Sequence, residues 1–320
     1  MSIGGARFQG PRPHEGPAVV AIGVFDGLHL GHRAILERAL DRARTHDARC
    51  VVVSFDPHPE VVLRPGSFHW VAPLTPLQEK RERLLEMGVD ELHVIPFTRE
   101  LAGLEPEAFV HEHLTKPFRP LALVVGQDFA LGRGRSGNVQ RLTTIGREVG
   151  FEVEAVPLLE IDGARVSSTR IRELLAAGRV DEASRLLGRR YSLTGTVVTG
   201  HGVGRTLGFP TANVRLHEEK LVPADGIYAV WVKVGDRPER HAGAMSIGVR
   251  PTFGGRERQL EVFVLDWSGD LVGGEIELEF VDWLRSERRF ETAEALIEAM
   301  REDVAETRRR LGAPVARPLS

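Results

Sequence analysis

Residues 19–36, VVAIGVFDGLHLGHRAIL, constrain this chain more than any other stretch. Val19-Val20-Ala21-Ile22 is a continuous apolar run, the pattern of a strand covered on both faces. The run breaks at Gly23, and after Gly31 the residues Ala34, Ile35 and Leu36 take up helical spacing. The segment therefore reads as strand, glycine loop and helix. At such a corner the free backbone N–H groups and the positive end of the helix dipole favour a bound phosphate. Gly23, Phe25, Asp26, His29, Gly31 and His32 all fall on this turn. His29 and His32, three residues apart, are expected on one face of the first helical turn. Gly31 between them would let a phosphate approach the backbone without meeting a Cβ. With His-x-Gly-His alone, a pair of surface histidines beside a turn would be the better reading. The preceding strand and the Gly-Val-Phe-Asp-Gly run favour a nucleotide site.

At these residues the sequence resembles the HxGH nucleotidyltransferase superfamily. That resemblance implies attack on the α-phosphate of a nucleoside triphosphate with release of pyrophosphate. Class I aminoacyl-tRNA synthetases share the signature, so it does not name a substrate. Charge weighs against a nucleic-acid partner: 42 basic residues are spread among 45 acidic ones, for a net charge of -3, and no global field favours a polyanion. No apolar run approaches the roughly 20 residues a bilayer requires, and the N-terminal MSIGGARFQGPRPHEGP lacks the apolar core of a signal peptide. A cytoplasmic enzyme without a membrane partner is expected. Cys50 is the only cysteine and lies in the strand-like CVVVSF, so an internal disulfide is excluded. It reads as a small core residue, with a catalytic thiol as the alternative.

The 320 residues are more than one compact core usually holds, and two domains are expected. In the first part the pattern predicts helices over 33–46, 75–87, 105–115, 138–149 and 170–177, alternating with strands at 49–55, 92–96, 121–125 and 151–158. Such alternation implies a parallel sheet covered on both faces, with ligands at the carboxyl ends of the strands. Ser54-Phe55-Asp56-Pro57-His58-Pro59 reads equally as a stiff turn or as a loop over substrate. Beyond Gly188-Arg189-Arg190 the pattern changes to short strands at 191–199, 226–234, 243–249, 259–267 and 275–283, then one helix over 291–311. That spacing predicts a small antiparallel barrel. Leu296, Ile297, Met300, Val304 and Leu311 recur at helical spacing, which reads as packing on the barrel. The expected division is 1–187 and 188–320.

Two further motifs carry chemistry. Ser167-Ser168-Thr169-Arg170-Ile171-Arg172 offers hydroxyls, N–H groups and guanidinium groups at a helix start, suited to phosphate oxygens, although an N-cap followed by surface arginines would look the same. Gly204-Arg205-Thr206-Leu207-Gly208-Phe209-Pro210-Thr211-Ala212-Asn213 is a run that no barrel needs for structural reasons. Glu261 lies in Gln259–Leu265 on the strand face opposite Leu260, Val262 and Val264, and a carboxylate there is costly unless it is used or paired.

Together these residues resemble the bacterial bifunctional riboflavin kinase/FAD synthetase family, over about residues 18–311. The family's GxFDGxHxGH start, FDPHP loop, GxDFxFG segment, SSTRIR helix start, GRTLGFPTAN run and rPTF motif appear in that order. The resemblance implies a Rossmann-like HxGH domain followed by an antiparallel β-barrel with a C-terminal helix. It implies formation of FMN from riboflavin and ATP, and of FAD from FMN and a second ATP. On this basis His29, His32 and Arg170 act on the adenylyl group, with Ser168, Thr169 and Arg172 binding phosphate. Gly204, Arg205, Gly208 and Pro210 hold the kinase's ATP, and Thr211 and Asn213 hold Mg²⁺ through hard neutral oxygens. Glu261 serves as general base, with Asp225 and Glu275 as substitutes. Phe55, Asp128, Phe129 and Arg285 are carried over as flavin contacts. Val24, Leu131, Ser246 and Val272 depart from the family pattern, and the lost aromatics bear on flavin stacking. Two other classes stay open: a flavin-binding regulatory protein with one inactive half, and a nicotinate- or pantetheine-type adenylyltransferase, which leaves GRTLGFPTAN unexplained.

Overall fold

Strand β1 (Ala18–Ile22) is buried along its whole length. In this computed structural model, which describes residues 16–64, 72–200, 204, 207–252 and 255–313, it stands at the centre of the first of two compact units. That unit runs to Arg165 without 72–74, and the second comprises Ala72–Leu74 and the chain from Val166 on. After β1 come α1 (Leu30–Thr45), β2 (Arg49–Asp56), α2 (Pro59–Leu63), α3 (Leu77–Glu86) and β3 (Glu91–Pro96). The short helices α4 (Arg99–Ala102), α5 (Pro106–Val110) and α6 (Lys116–Phe118) lead to β4 (Pro120–Gly126). A small hairpin, β5 (Ala130–Leu131) and β6 (Gly137–Asn138), precedes α7 (Val139–Val149) and β7 (Glu152–Val156), and a second hairpin pairs β8 (Glu160–Ile161) with β9 (Ala164–Arg165).

The main sheet has the order β3-β2-β1-β4-β7, and every pairing is parallel. Alternation along the strands builds two cores. Val20, Ile22, Val51, Val53, Leu123 and Val125 pack with Phe109, Leu114 and Leu142 on one face, and Val19, Ala21, Val52, Ala122 and Val124 with Leu36, Ala39 and Leu84 on the other. The chain leaves β1 towards β2 and β3, then returns to place β4 on β1's other side. The order reverses at β1 and β4, and in open sheets of this kind ligands bind at such a switch point, at the carboxyl ends of the strands.

Some boundaries differ from the sequence expectation. The helix expected over 105–115 is instead α5, a π-helical turn over His111–Thr115, and α6; the Thr115 hydroxyl donates to the Val110 and His111 carbonyls. The Gly- and Arg-rich 126–137 stretch forms a turn and the β5–β6 hairpin. Cys50 is buried and its thiol is pushed up to about 12 by burial and by Asp90, so it is a core residue rather than a nucleophile.

In the second unit α8 (Ser168–Ala176) and α9 (Val180–Leu187) pack on each other, burying Ile171, Leu175, Val180, Ala183 and Leu187. Strands β10 (Ser192–Val198), β11 (Ala212–Leu216), β12 (Gly226–Val234), β13 (Arg240–Thr252), β14 (Gly255–Val264) and β15 (Glu275–Arg285) close into a barrel in the order β10-β11-β14-β13-β12-β15. α9 lies against β15, so by compactness both helices belong with the barrel, and the units part at 165/166. The barrel has one strand more than the sequence pattern indicated. β11 is short and begins inside the GRTLGFPTAN run, where turn residues mask its alternation. Helix α10 (Ala293–Leu311) is capped by Thr292, whose hydroxyl accepts from the Ala295 N–H at 3.2 Å, and it packs against β12, β13 and β15.

Candidate active sites

The loop from β1 to α1 carries three residues in the left-handed region: Phe25 (φ 51°), Gly27 (φ 86°) and Leu28 (φ 43°). Non-glycine residues hold that conformation only where surrounding contacts enforce it. Here Phe25 and Leu28 are sunk in the core, and the Asp26 carboxylate accepts from the Thr75 N–H at 3.0 Å. The Ser54 hydroxyl donates to the Val24 carbonyl at 3.0 Å, and the Lys80 ammonium donates to the same oxygen at 2.8 Å. The loop is thereby fixed from several sides.

His29 is the N-cap of α1 rather than a member of its first turn, and its Nδ1 accepts from the His32 N–H at 3.2 Å. An accepting Nδ1 puts the proton of the neutral ring on Nε2, where it can donate. The two imidazoles stack at 3.6 Å between centroids and 16° between planes, and Phe25 meets His32 edge-on at 5.3 Å. Burial, then the neighbouring His29, Lys80 and Arg165, hold the His32 pKa well below the usual imidazole value. His32 Nδ1 is buried and has no hydrogen-bond partner among the described residues. No acidic residue occupies the first turn of α1, so nothing on the helix itself offsets its positive end.

Asp128 follows β4 and pairs with Arg165 at 2.5 Å, while Arg135 donates to the Asp128 carbonyl at 3.1 Å. Phe129 is half-buried against the core. Phe55, carried over as a flavin contact, is instead a core residue, edge-on to Phe97 at 5.6 Å. Its place at the end of β2 points it into the packed face of the sheet.

The Ser168–Arg172 segment belongs to the second unit. Ser167 caps α8, its hydroxyl accepting from the Arg170 N–H at 3.2 Å, and the first turn contains no acidic residue. Ser168, Thr169 and Arg170 stand at this helix start, whereas Arg172 is buried and reaches the Ala72 carbonyl at 3.4 Å.

The barrel holds a cavity of about 320 Å³, within the range of small-molecule sites. Along its wall the register sets Asn213 of β11 opposite Glu261 of β14, and Glu261 opposite Ser246 of β13. Directly paired residues share a face, so one row of three polar side chains crosses three strands and lines the cavity. Leu260, Val262 and Val264 point into the core, as the alternation predicts. The Thr211 hydroxyl donates to Glu261 at 3.2 Å, which leaves the lone pairs of its oxygen for a cation. With the Asn213 amide oxygen alongside, this is a hard-oxygen donor set that fits Mg²⁺.

Gly204 and Gly208 shape the approach to this row. A Cβ at Gly204 would collide with the Phe209 carbonyl and lie 3.1 Å from Thr211 Oγ1, and Gly208 has φ +85°. Arg205 lies outside the described residues. Pro210 precedes Thr211, and Phe209 meets Phe263 edge-on at 5.4 Å. The substitutes for Glu261 are engaged elsewhere: Asp225 accepts from Arg258 at 2.7 Å, and Glu275 faces His217 at 3.7 Å.

The opposite wall comes from α10, whose Leu296, Met300 and Val304 face the cavity rather than only packing. Arg285 does line the cavity, but its guanidinium is gripped by Asp303 of α10 through two 2.7 Å hydrogen bonds. Asp303 and Lys80 escaped the sequence reading. Each is a charged residue in a helix rich in charge, and only tertiary packing buries it. Ser246 is the one departure from the family pattern that lines the cavity; Leu131 is buried core and Val272 is exposed.

Comparison with known proteins agrees with both halves. A family model described as FAD synthetase matches residues 12–170, and one described as riboflavin kinase matches 187–311. A bifunctional riboflavin kinase/FMN adenylyltransferase of Listeria monocytogenes is 38% identical over 291 residues, covering 91% of each chain. The protein so described from Pseudomonas fluorescens is 39% identical over 95% of this chain and 96% of its own, and that of Escherichia coli K12 is 39% identical over 89% of each. A crystal structure described as a macrolide-efflux protein from Streptococcus pneumoniae superposes with a TM-score of 0.85 and 31% identity, over 92% of this chain and 94% of that one. Among the described residues no helix is long and apolar enough to cross a membrane.

Proposed function

The chain belongs to the bifunctional riboflavin kinase/FMN adenylyltransferase family, and from that premise we propose which of its groups carry each reaction. The enzyme phosphorylates riboflavin with ATP to give FMN, and adenylylates FMN with ATP to give FAD and pyrophosphate. Adenylyl transfer is assigned to residues 1–187 and the kinase reaction to 188–320.

For the kinase the nucleophile is an alcohol, which must lose a proton as it attacks the γ-phosphate. Glu261 takes that proton. The observation carrying this assignment is its position: a carboxylate in register with Asn213, hydrogen-bonded to Thr211, on the wall of a cavity of about 320 Å³. Thr211 and Asn213 would hold Mg²⁺, which neutralises charge on the ATP phosphates when bound. Gly204, Gly208 and Pro210, with Arg205, keep the chain close to those phosphates. Arg285 borders the flavin, fixed by Asp303.

For adenylyl transfer the attacking phosphate is already ionised, so positioning and charge stabilisation replace base catalysis. His29 donates from Nε2 to the α-phosphate, with His32 beneath it and the Gly31 N–H at the start of α1 alongside, while the His32 and Arg33 N–H groups are taken up by His29 itself. Gly23, Phe25 and Asp26 hold the loop that aims them. Ser168, Thr169 and Arg170 bind phosphate in the same reaction, and Asp128 and Phe129 contact the flavin. Two reactions that consume ATP fit a cytoplasmic setting. The test is a cross of single substitutions, His29→Ala and Glu261→Gln, each assayed for both reactions with FMN and FAD separated by chromatography. The assignment holds if each variant loses one reaction and keeps the other.

A further inference from the structure

Lys80 lies on α3, far along the chain from the β1–α1 loop, in the charged run Gln78-Glu79-Lys80-Arg81-Glu82-Arg83 that would ordinarily form a solvated helix face. It is nevertheless 6% exposed. Burying an ammonium group is costly unless its hydrogens find acceptors and its charge finds a counter-charge. Its Nζ donates to the Val24 carbonyl at 2.8 Å and approaches Ser54 Oγ at 3.4 Å. The carboxylates of Asp26 and Asp56 face it as counter-charges, and burial still lowers its pKa.

The place where it anchors the loop matters. Val24 immediately precedes Phe25, the first of the three left-handed residues that swing the chain from β1 into the His29 N-cap. A carbonyl pinned there by an ammonium and a hydroxyl fixes the peptide plane on which Phe25 turns, and with it the departure of the loop towards His29. We propose that Lys80 is a positioning residue for adenylyl transfer: it holds the Val24 carbonyl so that the His29–His32 pair is aimed at the α-phosphate, and it contributes buried positive charge to that corner. The proposal rests on placing adenylyl transfer at His29 and His32.

The charge has a separate, measurable consequence. The groups acting on His32 are His29 on its own helix cap, Lys80 from α3 and Arg165 from β9, and all three disfavour the imidazolium. Asp26 and Asp56 face Lys80 itself. Removing the Lys80 cation therefore raises the His32 pKa, and a neutral substitute shifts the acidic limb of FAD formation towards neutrality. Burial is the larger cause of that low pKa, so loosened packing would move the limb the same way, and Lys80→Arg, which retains the charge, separates the two.

The experiment uses the full chain with Lys80→Met, which keeps the stem and removes donors and charge, and Lys80→Arg, which keeps charge and donors on a longer stem. A displacement of about 1 Å at a reacting centre is worth about 10²-fold in rate. The turnover of FMN adenylylation should fall by about that factor in K80M, while riboflavin phosphorylation stays within about twofold and the KM for FMN changes little. K80R should recover part of the turnover, with an unshifted acidic limb, whereas the limb of K80M moves up. The proposal is overturned if K80M keeps FAD turnover within about threefold, if its acidic limb does not move, or if folded K80R is as inactive as K80M. Should K80M fail to fold, K80R alone decides: a folded, inactive K80R or a shifted limb counts against Lys80. His29→Ala is run alongside, and full FAD formation in that variant would sink the assignment of the site rather than the role of Lys80.

Discussion

As assigned, the two proposed sites would handle phosphate with opposite chemistry. The proposed β1–α1 site combines two stacked imidazoles with a helix N-terminus, backed by a buried ammonium on the Val24 carbonyl, and the Asp26 carboxylate accepts from the Thr75 N–H. The proposed barrel site combines a carboxylate, a hydroxyl and an amide brought together across neighbouring strands. The state of the nucleophile accounts for the difference. FMN attacks as a phosphate that needs no base and adds negative charge, so cationic and N–H groups gather around it. Riboflavin attacks as an alcohol, so a base is required, and a site that already holds a carboxylate calls for a cation beside it. Backbone design follows the same division. N–H donors are concentrated at a loop and a helix start, so the transferase uses backbone in left-handed conformations. The kinase row needs only strand register, which places every second side chain on the cavity wall.

The sharpest way to break this contrast is Glu261→Gln, which preserves size and hydrogen bonding and removes basicity. Positioned proton transfer contributes about 10²–10⁴ in rate, so FMN formation should fall by that span. FAD formation from supplied FMN should persist, and riboflavin and ATP should still bind because Thr211 and Asn213 are intact. Near-normal kinase turnover in this variant would leave Glu261 an orienting residue and collapse the distinction between the sites.

Its counterpart, His29→Ala, removes a donor aimed at developing charge and should lower FAD formation by about 10²–10³ while sparing FMN formation. The same change deletes the N-cap of α1, worth about 1 kcal/mol, so it should be read beside the melting temperature. Equal loss of both activities would mean misfolding or one shared centre.

How much of this was legible from residues alone follows the range of the interactions. Local patterns carried the strand–loop–helix corner, the parallel sheet, the barrel and the period-two placement of Glu261, because each is written within a few residues. Contacts across many residues were not legible. Lys80 sits in a run of alternating charges that reads as a solvated helix, and only the packing of α3 under the β1–α1 loop reveals its task. Asp303 likewise looks like a surface acid until α10 is laid on the barrel. For Phe55 the motif and the strand alternation pull apart: the motif draws it towards ligand, and the alternation packs it in the core. The attachment of α8 and α9 to the barrel could not be read either, because the α/β pattern persists to Leu187 while the packing partner lies about a hundred residues on.

A smaller effect is expected from Asp303→Asn. The Arg285 and Asp303 side chains are 16% and 10% exposed, so neither is well solvated, and Asn can offer only one acceptor to the guanidinium. Loss of a charged hydrogen bond is worth about 1.5–3 kcal/mol at a fully dry site, and less where some solvent reaches it. The KM for riboflavin should rise about tenfold with kcat nearly unchanged, since Arg285 borders the cavity while Glu261, Thr211 and Asn213 are untouched. A fall in kcat without a change in KM would instead connect α10 to the chemical step and blur the separation between flavin binding and proton transfer.

The smallest effect concerns stability and should appear in the first unit alone. Burial, then His29, Lys80 and Arg165, depress the His32 pKa in the folded chain, while the unfolded chain titrates near the ordinary value of about 6.5. Between those two values the unfolded state binds more protons than the folded state, so stability falls as pH drops from about 6.5 towards the folded pKa and is unaffected above it. The slope for one proton is at most about 1.4 kcal/mol per pH unit. Hydrogen exchange of the β1 amides, corrected for the intrinsic pH dependence of exchange, reports the opening of that unit without involving the barrel. Protection in β1 should decline from pH 7.5 to pH 5.5, and His32→Gln, which cannot titrate, should remove part of that decline. Identical pH profiles for the two chains would mean that His32 accepts its proton as readily folded as unfolded. The transferase corner would then not be the cation-crowded site that separates it from the barrel.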